Sequence, residues 1–184
     1  MSIAEWIFIL VSAAWVGEFI FFRNRGTGKG DPLETRSFFY ILGSLLGAIA
    51  LALTLQEMRG SGLETALRWT GLILFAGGVF LRYWGILHLK AQFTRHVTVR
   101  EGDRIVSSGP YRKLRHPLYT GLFLIGIGMT LFFMSLIAAA FGSVALLFTL
   151  LYRIQYEEKL LISQFGPEYQ EWMKSRYRLI PFIY

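Results

Sequence analysis

Five apolar runs separated by polar segments dominate the chain, and each can be interpreted as a membrane-spanning helix. They cover residues 3–22, 38–55, 66–88, 118–134 and 136–154. The last two runs are separated because residues 118–152 have no charged side chain. As one helix they would extend about 52 Å across a hydrocarbon core of about 30 Å. The pattern therefore predicts a hairpin turning near Met134 and Ser135, and five spans with the termini on opposite sides.

Lysine and arginine are unevenly distributed among the polar segments, and this predicts the orientation of the chain. The segment before Trp6 has none, and residues 56–68 have two. Residues 23–37 have four, residues 90–116 have seven and the tail from Arg153 has five. Because cytoplasmic segments are enriched in these residues, we expect the N-terminus outside and the C-terminus in the cytoplasm. The expected location is the cell membrane of a prokaryote.

Composition supports the same class. Apolar residues make up 54% of 184 and charged residues 17%, which favours one all-α integral membrane domain over a soluble one. The absence of cysteine excludes disulfides and a thiol nucleophile. His88 and His96 lack acidic partners at ligand spacing, so we expect no metal, and no nucleic-acid module accompanies the net charge of +7. The first run lacks the flanks of a signal peptide, so we expect it to be retained.

Two polar segments have features of a binding site. Residues 90–116 are too long for a simple connection and contain short apolar pieces and a Gly109-Pro110 turn, so we expect an ordered lid or pocket wall. In the tail, Gly166-Pro167 ends the fifth helix and begins a short amphipathic helix in PEYQEWMKSRY. That helix either lies on the bilayer surface or closes a site.

Arg153 and Glu157 are four residues apart and so share a helix face where the fifth span reaches water. A surface ion pair with snorkelling side chains is the simplest interpretation of the pair alone. The predicted hairpin, however, makes the fourth and fifth helices antiparallel neighbours. It therefore brings this pair to the same membrane edge as GPYRKLRHPLYTG at residues 109–121. We expect the two polar clusters to converge on one pocket.

Charged residues and glycines inside the spans have structural interpretations. Glu18 and Arg82 lie toward the cytoplasmic ends of the first and third spans, where snorkelling or a mutual ion pair can satisfy them. Gly43 and Gly47 form a GxxxG pattern that predicts close helix packing. The fourth span carries further glycines with the same interpretation, namely Gly121, Gly126 and Gly128.

The motif GPYRKLRHPLYTG, then about thirty apolar residues, then EEKLLISQFGPEYQEW and RLIPF, resembles the isoprenylcysteine carboxyl methyltransferases. It is also similar to their phospholipid N-methyltransferase relatives. The likeness covers about residues 90–184. It implies a membrane methyltransferase that uses S-adenosylmethionine, held by the cytoplasmic loop and tail. We accordingly divide the domain into accessory helices at 1–65 and a methyltransferase core at 66–184.

The resemblance also implies roles for individual residues. Glu157 is expected to face the cofactor and Arg153 to bind the substrate carboxylate, and both are the catalytic candidates. Further cofactor contacts are expected at Tyr111, His116, Pro117, Leu118, Tyr119, His96, Asp103, Arg104, Ile105 and Val106.

Four functions stay open on the sequence. The first is methylation of a prenylcysteine-like or other lipophilic carboxylate that enters from the bilayer. Such an acceptor is already ionised, so catalysis needs positioning and desolvation but no general base. The second is N- or O-methylation of a phospholipid amine or lipid phenol. The third is an NADPH-dependent reductase, because the FGxxYxxW and YRLIP ending also resembles membrane sterol reductases. The fourth is a non-enzymatic membrane protein. Membrane lipids are expected partners, and the oligomeric state is not predicted.

Overall fold

The computed structural model describes residues 1–22, 32–93 and 102–180, and it is helical. The helices are α1 (Ile3–Phe21), α2 (Pro32–Leu55), α3 (Glu64–Leu89), α4 (Pro117–Phe132), α5 (Leu136–Phe165) and α6 (Pro167–Lys174). Lys90–Gln92 and Gly109–Arg112 form short 3-10 turns. The β-pairing within the described ranges is a single parallel bridge between Leu114 and Tyr177. The all-α prediction is confirmed.

The predicted spans are confirmed as a multi-pass arrangement. Helices α1, α2, α3 and α5 are each long and apolar enough to cross a membrane, and α4 is a shorter apolar helix. The hairpin between α4 and α5 turns where expected. Met134 adopts a left-handed backbone with φ of 61°, and the Ser135 side chain caps α5 by accepting a hydrogen bond of 3.0 Å from the Ala138 N–H.

Helices α3 and α4 approach each other along a seam of glycines. A Cβ on Gly71 would lie 2.6 Å from the Gly128 carbonyl oxygen, and one on Gly78 would lie 2.5 Å from the Gly121 carbonyl oxygen. On the facing helix, a Cβ on Gly128 would lie 2.5 Å from the Phe75 backbone nitrogen. Only residues without a side chain permit this approach, and backbone proximity is a principal source of helix association in membranes.

The packing predictions for the other glycines have mixed outcomes. Gly126 is confirmed as a packing position, since its Cβ would lie 2.7 Å from Leu146 Cδ2. The prediction for Gly43 and Gly47 is wrong, because a Cβ on either would meet no described atom within 4 Å. The GxxxG face of α2 is turned away from the bundle, and α2 packs on α5 through Ile41 and Leu45 instead.

Helix α1 is fixed to α3 by a buried ion pair. Glu18 is fully buried, and both of its carboxylate oxygens accept hydrogen bonds from the Arg82 guanidinium. One turn away, the Tyr83 hydroxyl donates to the Ala14 carbonyl oxygen at 2.6 Å. The snorkelling interpretation of Glu18 and Arg82 is therefore wrong, and the mutual ion pair is confirmed. The pair forms because α1 lies beside α3, and the sequence alone does not show which helices are neighbours.

Candidate active site

Several polar segments of the chain fold together at one end of the helix bundle, which we call the polar end. We use this name for residues 102–116, the part of α5 after Tyr152, α6 and the tail to residue 180. The tail runs back across the start of α4. The Arg115 N–H donates to the Tyr177 carbonyl oxygen at 2.8 Å, and the Tyr177 N–H donates to the Lys113 carbonyl oxygen at 2.9 Å. The Thr120 hydroxyl donates to the Leu179 carbonyl oxygen at 2.6 Å. Tyr119 contacts both Arg153 and Glu157, so the predicted convergence of the two polar clusters is confirmed.

Within the polar end, helix α6 packs against the loop that contains Ser107. Tyr169 is buried and stacks on Trp172, with the ring centroids 5.3 Å apart. The Trp172 indole N–H donates to the Ser107 hydroxyl at 2.8 Å, which joins α6 to the described part of the long loop. Burial, together with the charges of Glu157 and Glu158, raises the pKa of Tyr169. This packing favours α6 as a wall of a site over a helix lying alone on the bilayer.

A cavity of about 640 Å³ lies between the polar end and the first two helices. It gathers all the described residues that were predicted to contact the cofactor or the substrate. Its walls include Asp103, Arg104, Ile105, Val106, Tyr111, His116, Pro117, Leu118, Tyr119, Arg153 and Glu157. His96 lies outside the described residues. The convergence is a property of the fold, and the cofactor and substrate roles assigned to these residues stay predictions.

Arg153 is the most deeply placed of the predicted catalytic residues. It is 5% exposed, so the interpretation as a snorkelling surface ion pair is wrong. Its Nε donates to the Tyr119 hydroxyl at 2.9 Å, and its Nη1 donates to the Ser37 hydroxyl at 2.9 Å. The Tyr119 hydroxyl in turn donates to Glu157 Oε2 at 2.6 Å. Arg153 and Glu157 are therefore joined through a tyrosine.

Glu158 holds the polar end together, and the sequence analysis missed it. Its carboxylate lies 2.6 Å from Arg178 Nη2, 3.3 Å from Arg115 Nη1 and 3.3 Å from His116 Nε2. Burial alone would raise the pKa of this carboxyl, but hydrogen bonds and charge from His116 and Arg178 outweigh it and lower the pKa to about 2. Adjacent helix positions point about 100° apart, so Glu157 lines the cavity while Glu158 faces the tail.

Tyr111 and the turn before it form another wall. Gly109 has a φ of 58°, and a Cβ there would lie 2.5 Å from the His88 ring. Both the backbone conformation and the close approach require glycine at this position. Burial and the nearby charge of Glu157 raise the pKa of Tyr111 well above its usual range. Tyr111 therefore lines the cavity as a neutral aromatic side chain.

Helices α1 and α2 supply an apolar wall. Nine cavity residues on these helices have apolar side chains, namely Trp15, Val16, Phe19, Phe38, Ile41, Leu42, Leu45, Leu46 and Ile49. Ser37 on α2 reaches the polar end and is 2% exposed. The sequence left the roles of these two helices open, and the structure makes them part of the cavity. No group of three or more His, Asp or Glu residues that could hold a metal occurs in the described ranges.

Comparison with known proteins gives a family match over residues 69–163, to the model of the isoprenylcysteine carboxyl methyltransferase (ICMT) family. Protein-S-isoprenylcysteine O-methyltransferase A of Arabidopsis thaliana is 30% identical over 115 residues, which are 61% of this chain and 58% of that protein. The Homo sapiens protein-S-isoprenylcysteine O-methyltransferase is 31% identical over 121 residues, 65% of this chain and 43% of that protein. The matches thus span about three fifths or less of these relatives.

A solved structure has the same fold. The eukaryotic intramembrane Ras methyltransferase ICMT, solved without a monobody, superposes with a TM-score of 0.65 at 22% sequence identity. The superposition covers 95% of this chain and 63% of that one. The family match begins within α3 and ends within α5, so α1, α2 and α6 lie outside it. The structural likeness extends the common fold to nearly the whole chain.

Proposed function

This chain belongs to the isoprenylcysteine carboxyl methyltransferase family, and on that premise we propose that it is a membrane methyltransferase acting on a lipophilic carboxylate. The methyl donor is S-adenosylmethionine and the acceptor class is a prenylcysteine-like molecule. One observation carries the proposal. A single cavity has a buried arginine and a carboxylate at its polar end and an apolar wall supplied by α1 and α2.

The residues around the polar end fit S-adenosylmethionine, which carries a sulfonium, an ammonium, a carboxylate and an aromatic base. The Glu157 side chain is one quarter exposed, so its carboxylate can contact a cationic group of the donor. Tyr111 and Trp172 contribute aromatic side chains to the cavity wall. When bound, the donor supplies a methyl carbon attached to a positively charged sulfur, which a carboxylate oxygen can displace without a proton transfer.

Arg153 is suited to bind the acceptor carboxylate. Its planar guanidinium can donate two parallel hydrogen bonds to a carboxylate, which fixes orientation as well as position. Hydrogen bonds to Ser37 and Tyr119 restrain the guanidinium from two different helices. Because Arg153 is buried, the acceptor is separated from bulk water when it binds, and electrostatic contacts there are strengthened. Catalysis then rests on positioning the acceptor oxygen, since no general base is needed.

The apolar wall is suited to a lipid chain. From Phe38 to Ile49 the wall follows α2 for about 16 Å along the helix axis. An acceptor entering from the bilayer would place its tail along this wall and its carboxylate at Arg153. The orientation predicted from the lysine and arginine counts puts this polar end on the cytoplasmic side, where a water-soluble donor is available.

The proposal is tested with the full chain in detergent or nanodiscs. Calorimetry should show binding of S-adenosylhomocysteine and no binding of NADPH; the reverse result would make the protein a reductase. A methylation assay with radiolabelled donor should then label an N-acetylated S-prenylcysteine and leave phosphatidylethanolamine unlabelled. Label only on the phospholipid would assign the other acceptor class. Binding of neither S-adenosylhomocysteine nor NADPH would contradict both the methyltransferase and the reductase function.

A further inference from the structure

Four side chains from three helices form one continuous hydrogen-bonded chain at the polar end. Ser37 on α2 accepts from Arg153 on α5, and Arg153 donates from a second nitrogen to Tyr119 on α4. Tyr119 donates to Glu157, one turn further along α5. Each contact is 2.9 Å or shorter, and each joins a hydroxyl to a charged group. This series of hydrogen bonds runs from the side of the cavity where we expect the acceptor to the side where we expect the donor.

The Tyr119 hydroxyl has a fixed direction in this chain. A tyrosine hydroxyl can donate one hydrogen bond, and here it donates to Glu157 while its oxygen accepts a hydrogen bond from Arg153. The ring packs against a buried cluster that includes Ile41 and Leu150, and this packing limits how far the hydroxyl can move toward either partner. Hydrogen bonds arranged donor to acceptor in series strengthen one another. A restraint at one end is therefore passed to the other.

Resting on the function proposed above, we propose that Tyr119 is a positioning residue that couples binding of the donor at Glu157 to binding of the acceptor at Arg153. Glu157 Oε2 accepts the hydrogen bond from the Tyr119 hydroxyl, and Oε1 lies 3.8 Å from His116 Nδ1. A donor that contacts Oε1 restrains the whole carboxylate, and the restraint reaches Arg153 through the hydroxyl. The acceptor then meets an arginine that is already ordered and loses less entropy on binding.

Coupling of this kind is reciprocal, which makes it measurable without turnover. If the donor side raises acceptor affinity by some factor, the acceptor raises donor-side affinity by the same factor. S-adenosylhomocysteine carries no methyl group to transfer, so both ligands can be present at equilibrium. We expect its affinity to rise about tenfold in saturating N-acetylated S-prenylcysteine, a coupling of about 1.4 kcal/mol.

The variant Tyr119→Phe keeps the ring and removes both hydroxyl contacts. We expect its coupling factor to fall below about twofold. We also expect kcat to fall by a larger factor than the affinity for the donor does. Tyr83→Phe is the matched control, because it removes a tyrosine hydroxyl bonded at 2.6 Å outside the cavity. That variant should keep the coupling of the unaltered protein. Ser37→Ala breaks the chain beyond Arg153, so it should weaken acceptor affinity about threefold and retain the coupling.

The outcomes separate the two proposals. If the unaltered protein binds neither ligand, the proposed function is overturned and the coupling with it. If it binds both ligands but its affinity for S-adenosylhomocysteine changes less than twofold, the function stands and the coupling is overturned, whatever any variant does. The proposed coupling is also overturned if Tyr119→Phe and the unaltered protein show equal coupling. A loss of coupling in Tyr83→Phe as large as in Tyr119→Phe would assign the effect to general loosening of the bundle.

Discussion

Two arginines inside this bundle, the buried Arg153 and the largely buried Arg82, have a glutamate nearby, and the two pairs are built differently. Arg82 contacts Glu18 directly, with two guanidinium nitrogens on one carboxylate. Arg153 reaches Glu157 only through the Tyr119 hydroxyl. In the direct pair each charge neutralises the other, so the pair serves to fix α1 on α3. In the bridged pair the hydroxyl keeps the opposite charges apart, so each can attract a ligand of opposite sign within one cavity.

Removing Arg153 should produce the largest effect, because it removes the group that the bridged pair presents to the acceptor. We expect Arg153→Ala to lower kcat/KM at least about 10³-fold, since an acceptor carboxylate would be buried without its partner. Affinity for S-adenosylhomocysteine should change less than about threefold. Arg59→Ala, on an exposed turn at the other end of the bundle, is the control for loss of a cation. Equal loss of turnover and donor affinity would remove Arg153 from the acceptor role.

Breaking the direct pair should lower stability. Glu18→Gln leaves the Arg82 charge buried without its carboxylate, which we expect to cost about 3 kcal/mol in the free energy of unfolding. The double variant with Glu18→Leu and Arg82→Met should recover most of that loss, because apolar side chains can replace a buried ion pair. Thermal melting in detergent measures both. A double variant no more stable than the single one would contradict the explanation by an unpaired buried charge. Recovery of stability with loss of donor binding would instead show that Arg82 acts on a ligand.

Glu157→Ala tests the donor end of the bridged pair. We expect affinity for S-adenosylhomocysteine to fall about 10- to 100-fold, since a cationic group loses its carboxylate. Glu168→Ala on the exposed face of α6 is the control for removal of one negative charge near the site. Calorimetry measures the affinity of both variants for S-adenosylhomocysteine. If Glu157→Ala binds with unaltered affinity, Glu157 has no direct role toward the donor.

A glycine variant can loosen the direct pair without altering its charges. The stem of Arg82 crosses α4 at Gly121, where a Cβ would lie 2.6 Å from Arg82 Cγ. We expect Gly121→Ala to destabilise the bundle by about 1–2 kcal/mol through overpacking. Gly43→Ala on the outward face of α2 should change the melting temperature by less than about 2 °C. Equal effects of the two substitutions would contradict the packing difference between these helices.

The parts of the fold that the sequence predicted are those set by local pattern. The hairpin follows from the length of the uncharged run through Met134 and Ser135, because no single helix of that length fits a bilayer. The meeting of GPYRKLRHPLYTG with Arg153 follows from that hairpin alone. These conclusions need no knowledge of how the helices are rotated.

The parts that the sequence could not predict depend on rotation and lateral placement. Ser37 belongs to the site because one face of α2 turns toward α5, and its local sequence contains no signal of this. The outward GxxxG of α2 failed as a packing prediction for the same reason. Glu157 and Glu158 are adjacent in sequence, and only the position of the returning tail separates a cavity residue from one that binds Arg178. A pair of neighbouring glutamates was the available signal for Glu158.

The tail that crosses the start of α4 sets an order of events during synthesis. Its carbonyl oxygens at Tyr177 and Leu179 hold Arg115 and Thr120 in place, and Leu179 is fully buried. These residues leave the ribosome after all five spans have done so. The pocket therefore cannot be completed before the tail has been synthesised, and a chain that ends before Tyr177 lacks these contacts.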